Sequence, residues 1–127
     1  MILVIGGAYQ GKRAFIKERW KISDEEILDG ATKKLAEAND NTKAVVNYQE
    51  IIRAQIAAGE NPQKAAADLL LPGRDLIVSC DEVGMGIVPI NKEDRDYRES
   101  VGRTLCALTG EATEVWRIYC GIPERIK

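Results

Sequence analysis

The run Gly6-Gly7-Ala8-Tyr9-Gln10-Gly11-Lys12 constrains this chain more than any other. It satisfies G-x-x-x-x-G-K, and its setting matters more than its letters. Before it stands Ile2 to Ile5, a short unbroken β-prone run of the kind buried on both faces of a sheet. After it, Lys12 to Trp20 reads as a helix, with Phe15, Ile16 and Trp20 on its apolar side. A phosphate site needs that strand, loop and helix. Glycines let successive amides turn toward an anion, the helix N-terminus adds its positive end, and the lysine reaches the terminal phosphates. The plainer alternative is a glycine-rich turn carrying an exposed lysine. In context, the loop predicts a nucleotide site at Gly6, Gly7, Ala8, Tyr9, Gln10, Gly11, Lys12 and Arg13.

The eighth position departs from the motif. A hydroxyl residue normally stands there and holds magnesium, but here it is Arg13. A guanidinium ligates no cation and disfavours one nearby, though it can pair with a phosphate oxygen. The expected ligand is therefore ATP or GTP, with magnesium weakened or dispensed with, and no metal-ligating set is read elsewhere.

Ile77-Val78-Ser79-Cys80-Asp81-Glu82 reads as a second strand with acids at its C-terminal end, where ligands bind in open parallel sheets. A carboxylate there could hold magnesium through water or take a proton from an attacking hydroxyl. Lys12, Glu82 and Asp81 are thus the candidate catalytic residues; the alternative makes the two acids solvated turn residues or caps.

The remaining chain alternates. Ser23 with Glu26 has the form of a capping box and predicts a helix to about Ala38, carrying Ile27, Leu28 and Leu35. Asn39-Asp40-Asn41 breaks it. Lys43 to Ala58 has helical spacing, although Ala44-Val45-Val46 could begin as a strand. A short helix over Gln63–Leu71, stopped by Pro72-Gly73, precedes the strand over Asp75–Cys80. A helix from about Lys92 to Thr109 follows, and Glu114–Cys120 is read as the last strand. Such alternation predicts an α/β, P-loop NTPase-like three-layer sandwich with a mainly parallel sheet, as one domain over 1–127.

Composition narrows the classes. Net charge is −2, with no basic stripe, which argues against a nucleic-acid partner. No apolar run approaches the roughly 20 residues of a membrane span. The N-terminal run lacks a basic leader and reads as a strand rather than a signal peptide, so the expected location is cytoplasmic. The cysteines Cys80, Cys106 and Cys120 fit no metal spacing and are expected to be reduced, mostly buried thiols. Trp20 and Trp116 are expected in the core or an oligomer contact, and Ala65-Ala66-Ala67 as helix filler. Arg95, Arg98 and Arg103 could grip an anionic group or pair with Glu93, Asp94 and Glu99.

Together, Met1-Ile-Leu-Val-Ile-Gly-Gly-Ala with Gly11-Lys12, the run Asp81-Glu-Val-Gly-Met-Gly-Ile-Val-Pro89, Arg95-Asp-Tyr-Arg-Glu99 with Gly102-Arg103, and Cys120-Gly-Ile-Pro-Glu-Arg-Ile-Lys127 resemble the adenosylcobinamide kinase/adenosylcobinamide-phosphate guanylyltransferase family. The resemblance implies a P-loop sheet, phosphorylation of the cobinamide hydroxyl, guanylyl transfer to that phosphate in cobalamin assembly, and a homo-oligomer, usually a trimer. It implies that Lys12 contacts nucleotide phosphates and Glu82 lies near the reacting groups. The family's guanylyl transfer runs through a nucleotidyl-histidine, whereas this chain contains 0 histidines. The segment that would carry it is read as missing between the first helix and Lys43, and Leu105-Cys106 stand where the family's helix is usually polar. Three readings follow: a corrinoid-pathway nucleotide-binding protein, as an enzyme an ATP- or GTP-dependent adenosylcobinamide kinase without the guanylyl step; a non-catalytic nucleotide or corrinoid sensor; or an oligomerising subunit without ligands.

Overall fold

The computed structural model describes residues 1–70 and 73–127. Ten regular elements appear among them: β1 (Ile2–Gly6), α1 (Lys12–Trp20), β2 (Ile27–Asp29), β3 (Ala44–Val46), α2 (Tyr48–Ala57), α3 (Pro62–Ala65), β4 (Ile77–Asp81), α4 (Lys92–Glu111), β5 (Glu114–Tyr119) and β6 (Ile122–Arg125). The six strands form one sheet in the order β2-β3-β4-β1-β5-β6. Every neighbouring pair is parallel except β5 with β6, which runs antiparallel.

Period-two alternation explains the layers. Leu3, Val45, Val78 and Val115 point to one face and pack with Tyr48, Ile52, Leu69, Val101 and Leu108. Val4, Ala44, Val46, Ile77 and Ile118 point to the other and meet Ile16 of α1. Helices thus cover both faces of a mainly parallel sheet, the expected three-layer α/β architecture. β1 lies between β4 and β5, so the loop that follows it opens at the middle of the sheet's C-terminal edge.

The helix expected from Ser23 to Ala38 does not form. The capping box is present, with the Ser23 amide donating to the Glu26 carboxylate at 2.9 Å. It opens only a 3₁₀ turn over Asp24–Glu26, after which the chain enters β2. Ile27 and Leu28 are adjacent and both buried, but in opposite cores, which a strand allows and a helix does not. Pairing with β3 decides the case. Gly30 then passes so close to α2 that a Cβ there would lie 2.6 Å from the Asn47 carbonyl oxygen.

In the next segment Ala44–Val46 is a strand, and helix α2 begins only at Tyr48, after Asn47 turns the chain at φ 54. The short helix runs as α3 and continues as 3₁₀ to Leu70; its expected end at Leu71 and the Pro72 stop lie outside the described residues. β5 is not the last strand. Cys120 (φ 50) and Gly121 (φ 76) form a two-residue turn, and β6 returns along β5. Positive φ at both turn positions is the hairpin signature of a type I′ turn. Pro123 is tolerated because β6 is an edge strand.

Phe15 packs edge-on against Trp20, with ring centroids 5.4 Å apart, and lies 5.3 Å from Trp116, binding α1 to β5. Only Cys80 of the three cysteines is buried; Cys106 and Cys120 are exposed, against expectation, because one lies on the outer side of α4 and the other in the hairpin turn. Burial pushes the Cys80 thiol up to about 12, so it behaves as a small inert apolar group.

Tyr48 is fully buried, and its hydroxyl has no partner among the described residues. Removing an unsatisfied buried hydroxyl relieves a desolvation cost. Tyr48→Phe is expected to raise stability by about 1 kcal/mol, measured by urea unfolding; a loss of stability would show that the hydroxyl has a partner.

Candidate functional site

Gly6 ends β1 at φ 153, and its missing side chain lets β1 approach β5: a Cβ there would lie 2.5 Å from the Ile118 carbonyl oxygen. The chain then rises to Tyr9, fully exposed at φ 57, and re-enters at Gly11 (φ 95), which caps α1 without a side-chain hydrogen bond. The first amide of α1 to find a backbone acceptor is that of Phe15, on Gly11 at 3.0 Å. Among the described residues, the amides of Lys12, Arg13 and Ala14 have no acceptor, as required where an anion docks on a helix end.

Lys12 is 7% exposed and folds back under the loop. Its ammonium pairs with Asp81 at 2.5 Å and donates to the carbonyls of Gly7 at 2.7 Å and Gly6 at 3.3 Å. The first and second candidate segments therefore meet through Lys12 and Asp81. They face a cleft of about 620 Å³ bordered by the loop, Asn47, Gln49, Glu50 and Ser79. This volume suits a small ligand.

Sequence reasoning does not single out Asn47, Gln49, Glu50 or Ser79. The buried Gln49 accepts the Asp81 amide at 3.1 Å on its side chain and the Tyr97 hydroxyl at 3.2 Å on its carbonyl. It thereby sets where the end of β4 lies against α2. The signal that could have found it is positional: the β3–α2 corner lies at a strand's C-terminal end, beside the crevice of a parallel sheet.

Arg13 also borders this cleft, but its guanidinium is held by acids outside the loop. Its guanidinium donates to Asp24 at 3.0 Å and Asp29 at 3.1 Å, while Lys17 shares Asp24 at 2.7 Å. Hydrogen bonds from Lys17, then Arg13, hold the Asp24 carboxyl below its ordinary range. Asp29 is further fixed by the Asn47 amide at 2.8 Å. Arg13 stands where a hydroxyl would hold magnesium, and a guanidinium ligates no cation; Asp81 is engaged by Lys12. Among the described residues no group of three potential ligands converges.

Glu82 goes elsewhere. Its amide closes on the Gly6 carbonyl at 3.0 Å, and its carboxylate accepts from Arg117 of β5 at 3.2 Å. It faces a separate hollow with Val83, Met85 and Val101, away from Lys12. The α4 arginines also divide. Arg98 donates to the carbonyls of Gly84 and Ile87, and Arg95 to those of Pro89 and Ile90. Both fasten the Gly84–Ile90 loop, whereas Arg103 pairs with Glu99 at 2.5 Å.

A model of the family described as cobinamide kinase / cobinamide phosphate guanyltransferase matches residues 49–126. The bifunctional adenosylcobalamin biosynthesis protein CobU of Salmonella typhimurium is 43% identical over 52 residues, and that of Escherichia coli 41% over 52. Each match covers 41% of this chain and 29% of the relative. The family match holds Gln49, Asp81, Glu82 and α4; the phosphate loop, Lys12 and Arg13 precede it. No helix among the described residues is long and apolar enough to cross a membrane.

Proposed function

The chain belongs to the cobinamide kinase / cobinamide phosphate guanyltransferase family, and from that premise we propose that it binds ATP or GTP in adenosylcobalamin biosynthesis. The observation that carries this reading is the convergence of an amide-lined loop, the buried Lys12 and Asp81 on one cleft. In this reading the polyphosphate takes the open amides of α1 and draws the ammonium from Asp81. Asp81, rather than Glu82, is then the carboxylate positioned to accept a proton from an attacking hydroxyl. The acceptor is the cobinamide hydroxyl, and the chain acts as a kinase. Guanylyl transfer through a nucleotidyl-histidine is absent from the proposal, because the sequence contains 0 histidines. The apolar side chains exposed at Met85, Ile87, Val88 and Ile90, and at Tyr119 and Ile122, support a homo-oligomer. A cytoplasmic location accords with this chemistry.

Incubation with ATP or GTP, magnesium and cobinamide should yield cobinamide phosphate. Intact nucleotide binding without product would instead favour the second reading, a nucleotide or corrinoid sensor, which Arg13 supports. Arg13 stands at the position of the metal-binding hydroxyl, and its guanidinium is paired with Asp24 and Asp29. In the sensor reading, wild-type affinity for the triphosphate is expected to change less than about threefold when magnesium is removed, less than one ordinary hydrogen bond's worth. Calorimetric titration with and without EDTA checks this, and a loss of tenfold or more contradicts it.

A further inference from the structure

The phosphate loop is held from outside as well as by its own glycines. At its far shoulder Gln10 makes two hydrogen bonds to one short turn. Its side-chain carbonyl accepts the Cys120 amide at 2.6 Å, and its main-chain carbonyl accepts the Gly121 amide at 2.9 Å. The turn presents these amides together because Cys120 and Gly121 both have positive φ, which aims successive N–H groups to one side. Beside them Gly11 lies against Gly121: a Cβ on Gly11 would be 3.6 Å from the Gly121 Cα. One strand away, Gly6 lies against the Ile118 carbonyl. Gly6, Gln10 and Gly11 are thus docked along β5 and the turn after it.

We infer that Gln10 is a positioning residue, through which the β5–β6 hairpin preorganises the phosphate loop for a polyphosphate. The inference rests on the nucleotide reading above and assigns Gln10 a role other than touching the ligand. Its side-chain carbonyl is already used by Cys120 and, as an acceptor, offers nothing to a phosphate oxygen; only its NH2 group could donate to one, and the variants below separate that role from the tether. What the bonds supply is fixed geometry. A loop with both ends in glycine has many unfolded alternatives, and each tether removed from it lowers the fraction of molecules ready to bind. The hairpin, an antiparallel addition to a parallel sheet, is then part of the binding machinery rather than a decoration of the edge.

Gln10→Met keeps the length of the side chain and removes both the acceptor and the NH2 donors, whereas Gln10→Glu removes the donors alone. Two quantities are read on wild type and variant: ATP affinity by calorimetry, and the exchange rate of the Cys120 amide by NMR in nucleotide-free protein. The variant is expected to bind ATP about tenfold more weakly, one hydrogen bond's worth of preorganisation, and to exchange the Cys120 amide about tenfold faster. Gln10→Glu keeps the acceptor and should retain the wild-type exchange rate, which shows that exchange reports the bond and not general loosening. Weakened ATP binding with unchanged Cys120 exchange in Gln10→Met would overturn the inference, since Gln10 would then act on the ligand itself. Faster exchange with unchanged affinity would overturn it too, leaving a purely structural bond. Wild-type protein that protects Cys120 but binds no triphosphate would defeat the nucleotide reading first and remove this role with it.

Discussion

Lys12→Met should weaken ATP or GTP binding by at least about 100-fold, the equivalent of roughly 3 kcal/mol, which is what a charge-assisted contact to more than one phosphate oxygen is worth. The same substitution removes the only cation paired with Asp81 among the described residues. An ion pair cut on one side leaves a charge without compensation, and the cost reaches about 3–5 kcal/mol when burial is complete. Asp81 retains 18% exposure, so the expected loss of stability is smaller, about 2 kcal/mol. The two effects separate in a double-mutant cycle. Lys12→Met with Asp81→Asn should regain most of the stability, because no charge is stranded, and none of the affinity. Binding that survives in Lys12→Met at near wild-type strength would remove the lysine from the site and leave the loop a turn.

Gly6→Ala should be strongly destabilising. The added carbon would lie 2.5 Å from the Ile118 carbonyl oxygen, a backbone atom in a paired strand. Neither side can yield, since β1 is hydrogen-bonded to β4 on one edge and β5 on the other. Backbone strain at φ 153 adds to the clash. Strain and overpacking each cost about 1–3 kcal/mol, so a loss of at least about 3 kcal/mol is expected, a large part of an ordinary domain's stability. Gly86→Ala is the control: nothing lies within 4 Å of its would-be Cβ, and the change should be within about 0.5 kcal/mol of zero. Denaturant unfolding of both variants tests the claim, which fails if Gly6→Ala costs under about 1 kcal/mol.

Much of the frame is legible in the order of the amino acids. Ile2–Ile5 is a continuous apolar run and Ile77–Cys80 is apolar apart from Ser79, and both are central strands with residues buried on both faces. α1, the later part of α2, and α4 follow from helical spacing. Where the pattern misleads, a local signal points the wrong way. Ser23 and Glu26 make a real capping box, yet Ile27 and Leu28 are taken by the sheet because each can then fill a different core. β6 consists of four exposed residues, Pro123 among them, so nothing in its pattern announces a strand. It exists because β5 offers it an edge.

The strand–glycine–helix unit around Lys12 is written in consecutive residues, since apolar runs, glycine conformations and helix starts are decided by neighbours along the chain. The tertiary structure alone decided which acid meets the lysine. Asp81 and Glu82 are adjacent and chemically alike, but alternation at a strand end sends one toward Lys12 and the other toward Arg117. It also gave Arg13 to Asp24 and Asp29, and Gln10 to a turn 110 residues away. Such pairings depend on how strands are ordered across the sheet, and strand order is set by the simultaneous burial of two cores.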